Sequence, residues 1–324
     1  MRTDNKEQEK QMKTCMITGA NGFVGTALVE KLIKDGFHVI AVIRDRNIKS
    51  MLNPHPRLSF FHGDILDREQ MRLCISKHEV QELYHLASQP IVRICHTDPY
   101  SAYMTNIVGT LNILEAVRTL NGKKPKVVVL TSDKAYGPAP VPYFEDTPPR
   151  VGDSYATSKI CQDFIAMSYG RTYDLPIVVA RASNIYGPGD LNTSRLIPRS
   201  IMNLLNGQAP TLYDGVANYI REFVYIDDIV SGLQVMMDKG IPGEAYNIGG
   251  GEHYRIVDAI NMICDIVNPE IRPEIIKKDF KEIEEQYLSG DKLTALGWKL
   301  GRNLREGLES TVRWYKGWQR LINE

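Results

Sequence analysis

The sequence has no excess charge of either sign, no closely spaced cysteine pair and no long apolar run, and each absence removes a class of protein. Lys plus Arg number 39 and Asp plus Glu number 39, and no basic run is interleaved with aromatics, so nucleic acid is not an expected partner. Any anionic ligand has to be met by a local cluster of cations. Cys15, Cys74, Cys95, Cys161 and Cys264 stand apart without C-x-x-C spacing, and the seven histidines form no ligand cluster. That pattern predicts reduced thiols, with no disulfide frame and no metal site. No window approaches the ~20 apolar residues of a membrane span. The opening MRTDNKEQEKQMK lacks the apolar core of a signal peptide, so the expectation is a cytoplasmic protein with no membrane partner. There is no internal repeat and no low-complexity linker. What is present is a 324-residue chain with 43% hydrophobic residues, enough to bury a core in one large domain or two.

After a polar leader over residues 1–12, the run TCMIT reads as a buried strand, GANGFVG follows, and TALVEKLIKDG has the apolar spacing of a helix. Gly19, Gly22 and Gly25 therefore fall at a strand–helix junction. Small residues there let backbone approach a pyrophosphate, whose charge is met by helix N-terminal amides. HVIAVI predicts a second strand ending at Arg44-Asp45-Arg46, the position where dinucleotide folds choose between a ribose hydroxyl and a 2′-phosphate. A guanidinium at Arg44 suits the phosphate and favours NADP, while Asp45 keeps NAD as the alternative. LSFFHGDILD predicts a third strand leading to Asp64 and Ile65, which are candidates for adenine contact. VQELYHLAS gives a fourth strand, followed by Gln89-Pro90 and a long helical stretch from about Pro99 to Leu120 that contains Asn106. Asn106 is expected to hold a water or a backbone group behind the catalytic residues.

KVVVLTS predicts a fifth strand that delivers Ser132, Asp133 and Lys134 to its carboxyl end, the edge where open parallel sheets bind ligands. Beyond it, Tyr155 and Lys159 stand in Y-x-x-x-K spacing, with Asp153 or Ser154 as helix cap. Residues four apart share a helix face, which puts a phenol beside an ammonium. A tyrosine hydroxyl titrates near ~10, and a fixed cation is expected to favour the phenolate and make it a usable base near neutrality. Such pairs arise by chance on many helix surfaces; the surrounding pattern gives this one its meaning. LPIVVARAS is a sixth strand, and the alternation of strand and helix predicts a doubly wound parallel α/β sheet, a Rossmann fold. After Asn184 the alternation breaks into an inserted segment through Arg221; FVYIDDIVSGLQVMM and AYNIG then resume it. The expected division is a cofactor domain over 13–184 and 223–249, and a smaller substrate-binding domain over 185–222 and 250–324.

With these motifs in order, together with NIVGTLNILEA, RASNIYGPGD, REFVYIDDIV, YNIGGG and LSGDKLTALGW, the chain resembles the extended short-chain dehydrogenase/reductases almost end to end. Within them it resembles the nucleotide-sugar dehydratase and epimerase branch. TSDKAYG is similar to the strand-five signature of 4,6-dehydratases, with Lys134 where a Glu is usual, and HLASQPIVR with TSDK and RLIP looks most like the CDP-glucose 4,6-dehydratases, GDP-mannose 4,6-dehydratases next.

The resemblance implies a cofactor site of Gly19, Asn21, Gly22, Phe23, Val24, Gly25, Arg44, Asp64, Ile65, Leu86, Ala87, Ser88, Thr131, Tyr155 and Lys159. It implies a nucleotide-sugar site that includes Gln89, Asn184, Arg195, Leu196 and Arg221, with the two arginines toward the diphosphate, and a homodimer or higher homo-oligomer. The implied reaction makes a 4-keto-6-deoxy sugar nucleotide. Tyr155, with Lys159 and Ser132, takes the O4 proton as hydride leaves C4; Lys134 and Asp133 then share the C5 proton and the C6 hydroxyl. For Lys134 to be the base it must be neutral for part of the cycle, which requires a lowered pKa. The alternatives are a 4-epimerase, which has no use for an acid–base pair at C5 and C6, and a non-catalytic NAD(P) sensor, which has no use for Ser132, Tyr155 and Lys159 together.

Overall fold

The computed structural model describes residues 12–44, 51–277 and 282–323. Strand β1 (Thr14–Thr18) enters helix α1 (Phe23–Lys34) through the glycine turn, and β2 (His38–Ile43) returns beside β1. β3 (Leu58–His62), α2 (Arg68–Lys77) and β4 (Glu82–His85) continue the alternation. Two short helices follow, α3 (Val92–Thr97) and α4 (Pro99–Tyr103), then a π-turn over Met104–Val108 and α5 (Gly109–Arg118). β5 (Lys126–Ser132), α6 (Ser154–Thr172) and β6 (Ile177–Ala182) complete the first half.

The single long helix expected from Pro99 to Leu120 is therefore broken at Met104–Val108. The cause is visible in the side chains. Asn106 is fully buried, donates to Gln89 O and Ser158 Oγ, and accepts from Gln89 N at 2.7 Å. A π-turn adds a residue to the helix and re-aims one side chain inward. It holds a backbone group, as the sequence suggested.

Past β6 the chain forms β7 (Asn184–Tyr186), α7 (Leu196–Leu205), β8 (Thr211–Tyr213) and β9 (Ile220–Tyr225), and after helix Ile226–Lys239 it forms β10 (Ala245–Ile248). The main sheet has the order β10-β6-β5-β4-β1-β2-β3, all parallel. Helices cover both faces, so its strands read as apolar runs; all six residues of β6 are buried. The stretch 223–249, expected to resume the cofactor fold, is split. Its helix packs under the sheet and β10 joins β6, whereas β9 belongs to a smaller sheet with β7, β11 (His253–Arg255) and β13 (Glu285–Gln286). β12 (Glu274–Ile276) pairs with β8. One apolar cluster runs from Ile17 and Leu28 through Ile229 and Leu233 to Trp298, Leu308 and Val312, so the last helix shares the core of the sheet. All five cysteines are free. Among the described residues no helix is long and apolar enough to cross a membrane.

Candidate active site

The carboxyl ends of the parallel strands open into one cleft of about 1130 Å³. Strand order reverses between β1 and β4, the switch point where such sheets bind nucleotides. At the β1–α1 junction the chain doubles back so tightly that a Cβ on Gly25 would lie 2.2 Å from Gly19 O, and one on Gly19, at φ +70°, would lie 2.8 Å from Ala87 N. No side chain fits at either position. The first-turn amides of α1 face the cleft between Gly22 and Gly25, a cradle suited to a pyrophosphate. Asn21, Phe23, Val24, Arg44, Asp64, Ile65, Leu86, Ala87, Ser88 and Thr131 line the same cleft. These residues fit a dinucleotide. Asp45 and Arg46 lie outside the described residues. Thr131 turns its hydroxyl away from the cleft, within reach of Ala180 O and the Asp163 carboxylate.

β5 ends at Ser132, and the 3-10 turn after it carries Asp133 and Lys134 into the cleft. Asp133 is 3% exposed; its Oδ1 accepts the Ser132 hydroxyl at 2.8 Å, and its Oδ2 is buried with no hydrogen-bond partner among the described residues. Burial pushes the Asp133 carboxyl above the usual aspartate range, although the Lys134 and Arg221 charges pull the other way. α6 is capped by Asp153, whose carboxylate accepts Ala156 N at 2.8 Å, and this sets Tyr155 and Lys159 on its inner face.

The electrostatics of that pair differ from expectation. Lys159 Nζ donates to Gln162 Oε1 at 2.9 Å and lies 6.0 Å from the Tyr155 ring centre. Burial raises the Tyr155 hydroxyl well above its ordinary value, with Ser132 lowering it only in part. Lys159 itself is pushed down by burial to about 8. Desolvation penalises both charged forms, and in this geometry it outweighs the expected stabilisation of the phenolate. Behind Lys159 a buried chain continues from Gln162 to Thr110, His85 and Thr18. His85 is fully buried and burial lowers it to about 3, so it is neutral and serves as a spacer between two threonine hydroxyls.

Of the expected substrate residues, Asn184, Arg195 and Leu196 line the cleft. Arg195 stands at the N-terminal boundary of α7, is held by the buried Asp190 at 3.0 Å and lies 5.9 Å from the Phe23 ring. Gln89 and Arg221 are not brought to the cleft. Gln89 is fastened behind it by Asn106, with its side-chain oxygen on Ile91 N. Arg221 is 5% exposed and spends its donors on Ile220 O, Ile283 O and Glu284 O, with Glu282 beside it. A guanidinium so occupied holds chain segments together and has no free fork for a diphosphate.

Sequence reasoning missed Arg93, Arg199 and Tyr213, which line the cleft, and Glu282, which faces Lys134. Arg199 follows Arg195 by four residues on one helix, a spacing that puts both on one face. With Arg44, Arg93, Lys134, Lys159 and Arg195 it makes the cleft wall cationic on a chain whose charges otherwise balance. Such a wall concentrates anions.

The family model described as GDP-mannose 4,6 dehydratase matches residues 16–311. The dTDP-glucose 4,6-dehydratase of Shigella flexneri is 32% identical over 336 residues, covering 93% of this chain and 92% of that protein. The structure of dTDP-glucose 4,6-dehydratase from Bacillus anthracis in complex with NAD has a TM-score of 0.84 at 27% identity, covering 95% of this chain and 98% of that one. A UDP-glucose 4-epimerase from Thermotoga maritima with UDP-glucose reaches 0.86 at 27% identity, covering 94% and 99%. Overall shape thus does not separate the two reactions, whereas the family model and the sequence relative are both described as 4,6-dehydratases. The chain belongs to the GDP-mannose 4,6 dehydratase family, within the extended short-chain dehydrogenase/reductases, and is an NAD(P)-dependent nucleotide-sugar dehydratase.

Proposed function

We propose that the protein removes water from an NDP-hexose, CDP-glucose first and GDP-mannose next, to form a 4-keto-6-deoxy sugar nucleotide. The observation that carries this reading is the meeting of two groups in one cleft: Ser132, Tyr155 and Lys159, which serve oxidation at C4, and Asp133 with Lys134, which a C4 epimerase does not need. Residues 13–184 with 223–249 act as the cofactor domain in this scheme, and 185–222 with 250–324 as the substrate domain. The return of β10 to the main sheet supports that division.

The chemistry that bound NAD(P) supplies is a temporary place for one hydride, which leaves C4 and returns at C6. Tyr155 accepts the O4 proton in its phenolate form, Ser132 orients O4, and Lys159, placed by Gln162, supplies positive charge that favours that phenolate when protonated. A ketone at C4 makes the C5 proton acidic. Asp133 and Lys134 then serve the departure of water across C5 and C6, each positioned group being worth on the order of 10²–10⁴ in rate. The diphosphate is met by Arg195, Arg199 and the first amides of α7. The base and hexose rest on the Asp133-Lys134 pair and the QPIVR stretch.

The test is to incubate the purified protein with CDP-, GDP-, UDP- and dTDP-hexoses and look by mass spectrometry for loss of one water. Isomerisation without loss of mass in any of them would establish the epimerase instead. For the cofactor, Arg44 at the cleft supports NADP. Denaturing the protein and identifying the released dinucleotide decides it, and release of NAD alone overturns that preference.

A further inference from the structure

Lys134 stands on the cleft wall with a carboxylate on its far side. Its Nζ is 3.1 Å from Glu282 Oε1, and the same carboxylate oxygen lies 3.5 Å from Arg221 Nη2. Arg221 ties down the segment that carries Glu282, donating to Ile283 O and Glu284 O. Ile220 N also donates to Glu284 O at 2.8 Å, and Glu285 and Gln286 pair along β9. Glu282 is thus held in place by the smaller sheet, and it does not line the cleft.

We propose that Glu282 is a positioning residue that fixes Lys134 as an ammonium at the cleft wall, so that Lys134 is the stationary cation of the elimination and Asp133 carries the proton. The inference rests on the dehydratase reading and deepens it. A lysine can take the C5 proton only when neutral, and a carboxylate within hydrogen-bond reach favours its charged form. Burial pushes the Glu282 carboxyl up, but the Lys134 and Arg221 charges outweigh it and leave it below the usual glutamate range, which keeps the countercharge in place.

The charged and titratable groups around Lys134 are Asp133 on its own turn and Glu282 and Arg221 across from it. Tyr155 on α6, Tyr143 and Glu222 are coupled in turn to Asp133. Asp133 has what the proton carrier needs. Its Oδ2 is free of partners among the described residues, and burial raises the carboxyl above the usual aspartate range, which makes its ionised form a stronger base.

The step balances with one group. The Asp133 carboxylate takes the C5 proton as the C5–H electrons pass into the C4–C5 bond and the C4 carbonyl becomes an enolate. The enolate electrons then form the C5–C6 double bond and break the C6–O bond, and the Asp133 proton leaves on that oxygen as water. The carboxylate is restored, and the Lys134 ammonium offsets negative charge without changing its own protonation.

The experiment is the pH profile of kcat for water loss by the cofactor-loaded protein, in wild type and Glu282→Gln. Loss of the countercharge makes the ammonium harder to keep, so the alkaline limb should move to lower pH, and Glu282→Asp should move it back. Lys134→Arg should retain dehydration within about tenfold, whereas Lys134→Met should lose a hundredfold or more. A move of the acid limb instead, with activity gained at low pH, would make Lys134 the base and overturn the proposal. So would an unmoved profile, or an inactive but folded Lys134→Arg. If the wild type removes water from no NDP-hexose, the dehydratase reading fails separately. The pair is then judged by the NMR chemical shift of the ¹³C-methylated Lys134 amine at neutral pH, which should move in Glu282→Gln; an unchanged shift refutes the pairing.

Discussion

Residues 13–184 and residues 185–324 line one cleft, but they hold their functional groups by different physical means. In the first stretch the backbone does the placing. Strand ends deliver Ser132, Asp133 and Lys134, a helix capped by Asp153 delivers Tyr155 and Lys159, and close approach of Gly25 to Gly19 shapes the cradle. Each of these groups is carried on a backbone element of this stretch or on the turn beside it, and the Lys134 ammonium alone also meets a distant partner, Glu282. In the second stretch Arg195 is likewise held locally, by Asp190, whereas the buried side chains behind the cleft are placed by partners far along the chain: Arg221 by the carbonyls of Ile283 and Glu284, Glu222 by the amides of Gly250, Gly251 and Leu288. The residues proposed for the chemistry stand where position is largely local, and long-range polar contacts tie together the segments beside them. That contrast orders the predictions.

The largest effect is expected at the local end. Tyr155→Phe removes one oxygen from a side chain that is 8% exposed, so melting should shift little. Formation of reduced cofactor from the cognate nucleotide sugar should fall by roughly 10²–10⁴ or more. Single-turnover absorbance in the near ultraviolet measures it, and near-normal turnover by the folded variant removes Tyr155 from the chemistry.

Next comes the cradle. In Gly25→Ala the new Cβ would stand 2.2 Å from Gly19 O and 2.8 Å from Ala20 Cα, both backbone atoms that cannot rotate aside. The turn must open, at a cost of about 1–3 kcal/mol, and the purified variant should lose most of its bound dinucleotide. A variant that keeps stoichiometric cofactor would show that the junction tolerates widening.

The sharpest contrast between the two regions is one substitution made in two places. Arg195→Lys, at the cleft, should raise KM for the nucleotide sugar about tenfold through loss of the planar fork while melting changes little, because a cation still faces Asp190. Arg221→Lys should do the reverse. It strands carbonyls of Ile220 and Ile283 that the guanidinium satisfied and takes one of two donors from Glu284 O, at about 1–3 kcal/mol for a buried group left unpaired, and KM should follow only through Glu282. If Arg221→Lys raises KM as much as Arg195→Lys with no loss of stability, Arg221 reaches substrate after all.

The same contrast explains what could be read from the chain alone. Continuous apolar strand runs, the apolar spacing of helices, the glycine turn and the Y-x-x-x-K spacing are local signals, so the sheet, its helices and the Ser132–Lys159 set were legible. The break in the helix at Asn106 was not, because it answers to Gln89 and Ser158 across the fold. Arg221 looked like a phosphate ligand because a single arginine carries no record of its partners. Glu282 left no signal at all: it lies 148 residues from Lys134, in a stretch with no motif. Burial was the other hidden quantity, and it reversed the expected shift at Tyr155.

The smallest predicted effect tests the long-range end by itself. Glu222, 1% exposed, accepts amides from Gly250, Gly251 and Leu288 and so fastens the glycine-rich turn after β10 to β9. Burial pushes its carboxyl from 4.5 up to about 7, the three amides pull it down, and the Asp133 charge pushes it up again. The sign follows from linkage. With the folded pKa above the unfolded one, the fold prefers the protonated form, so this contribution to stability is full below about pH 4.5 and is lost as pH rises through 7. Other carboxyls, such as Glu115, are held low by their partners and titrate in the opposite sense, so the comparison must be made against Glu222→Gln, which cannot titrate. The melting temperature of wild type relative to Glu222→Gln should be a few degrees higher at pH 5 than at pH 8, reflecting on the order of 1–3 kcal/mol. A difference that stays constant across that range would mean that the three amides hold Glu222 ionised throughout, and that hydrogen bonds outweigh burial at this long-range contact.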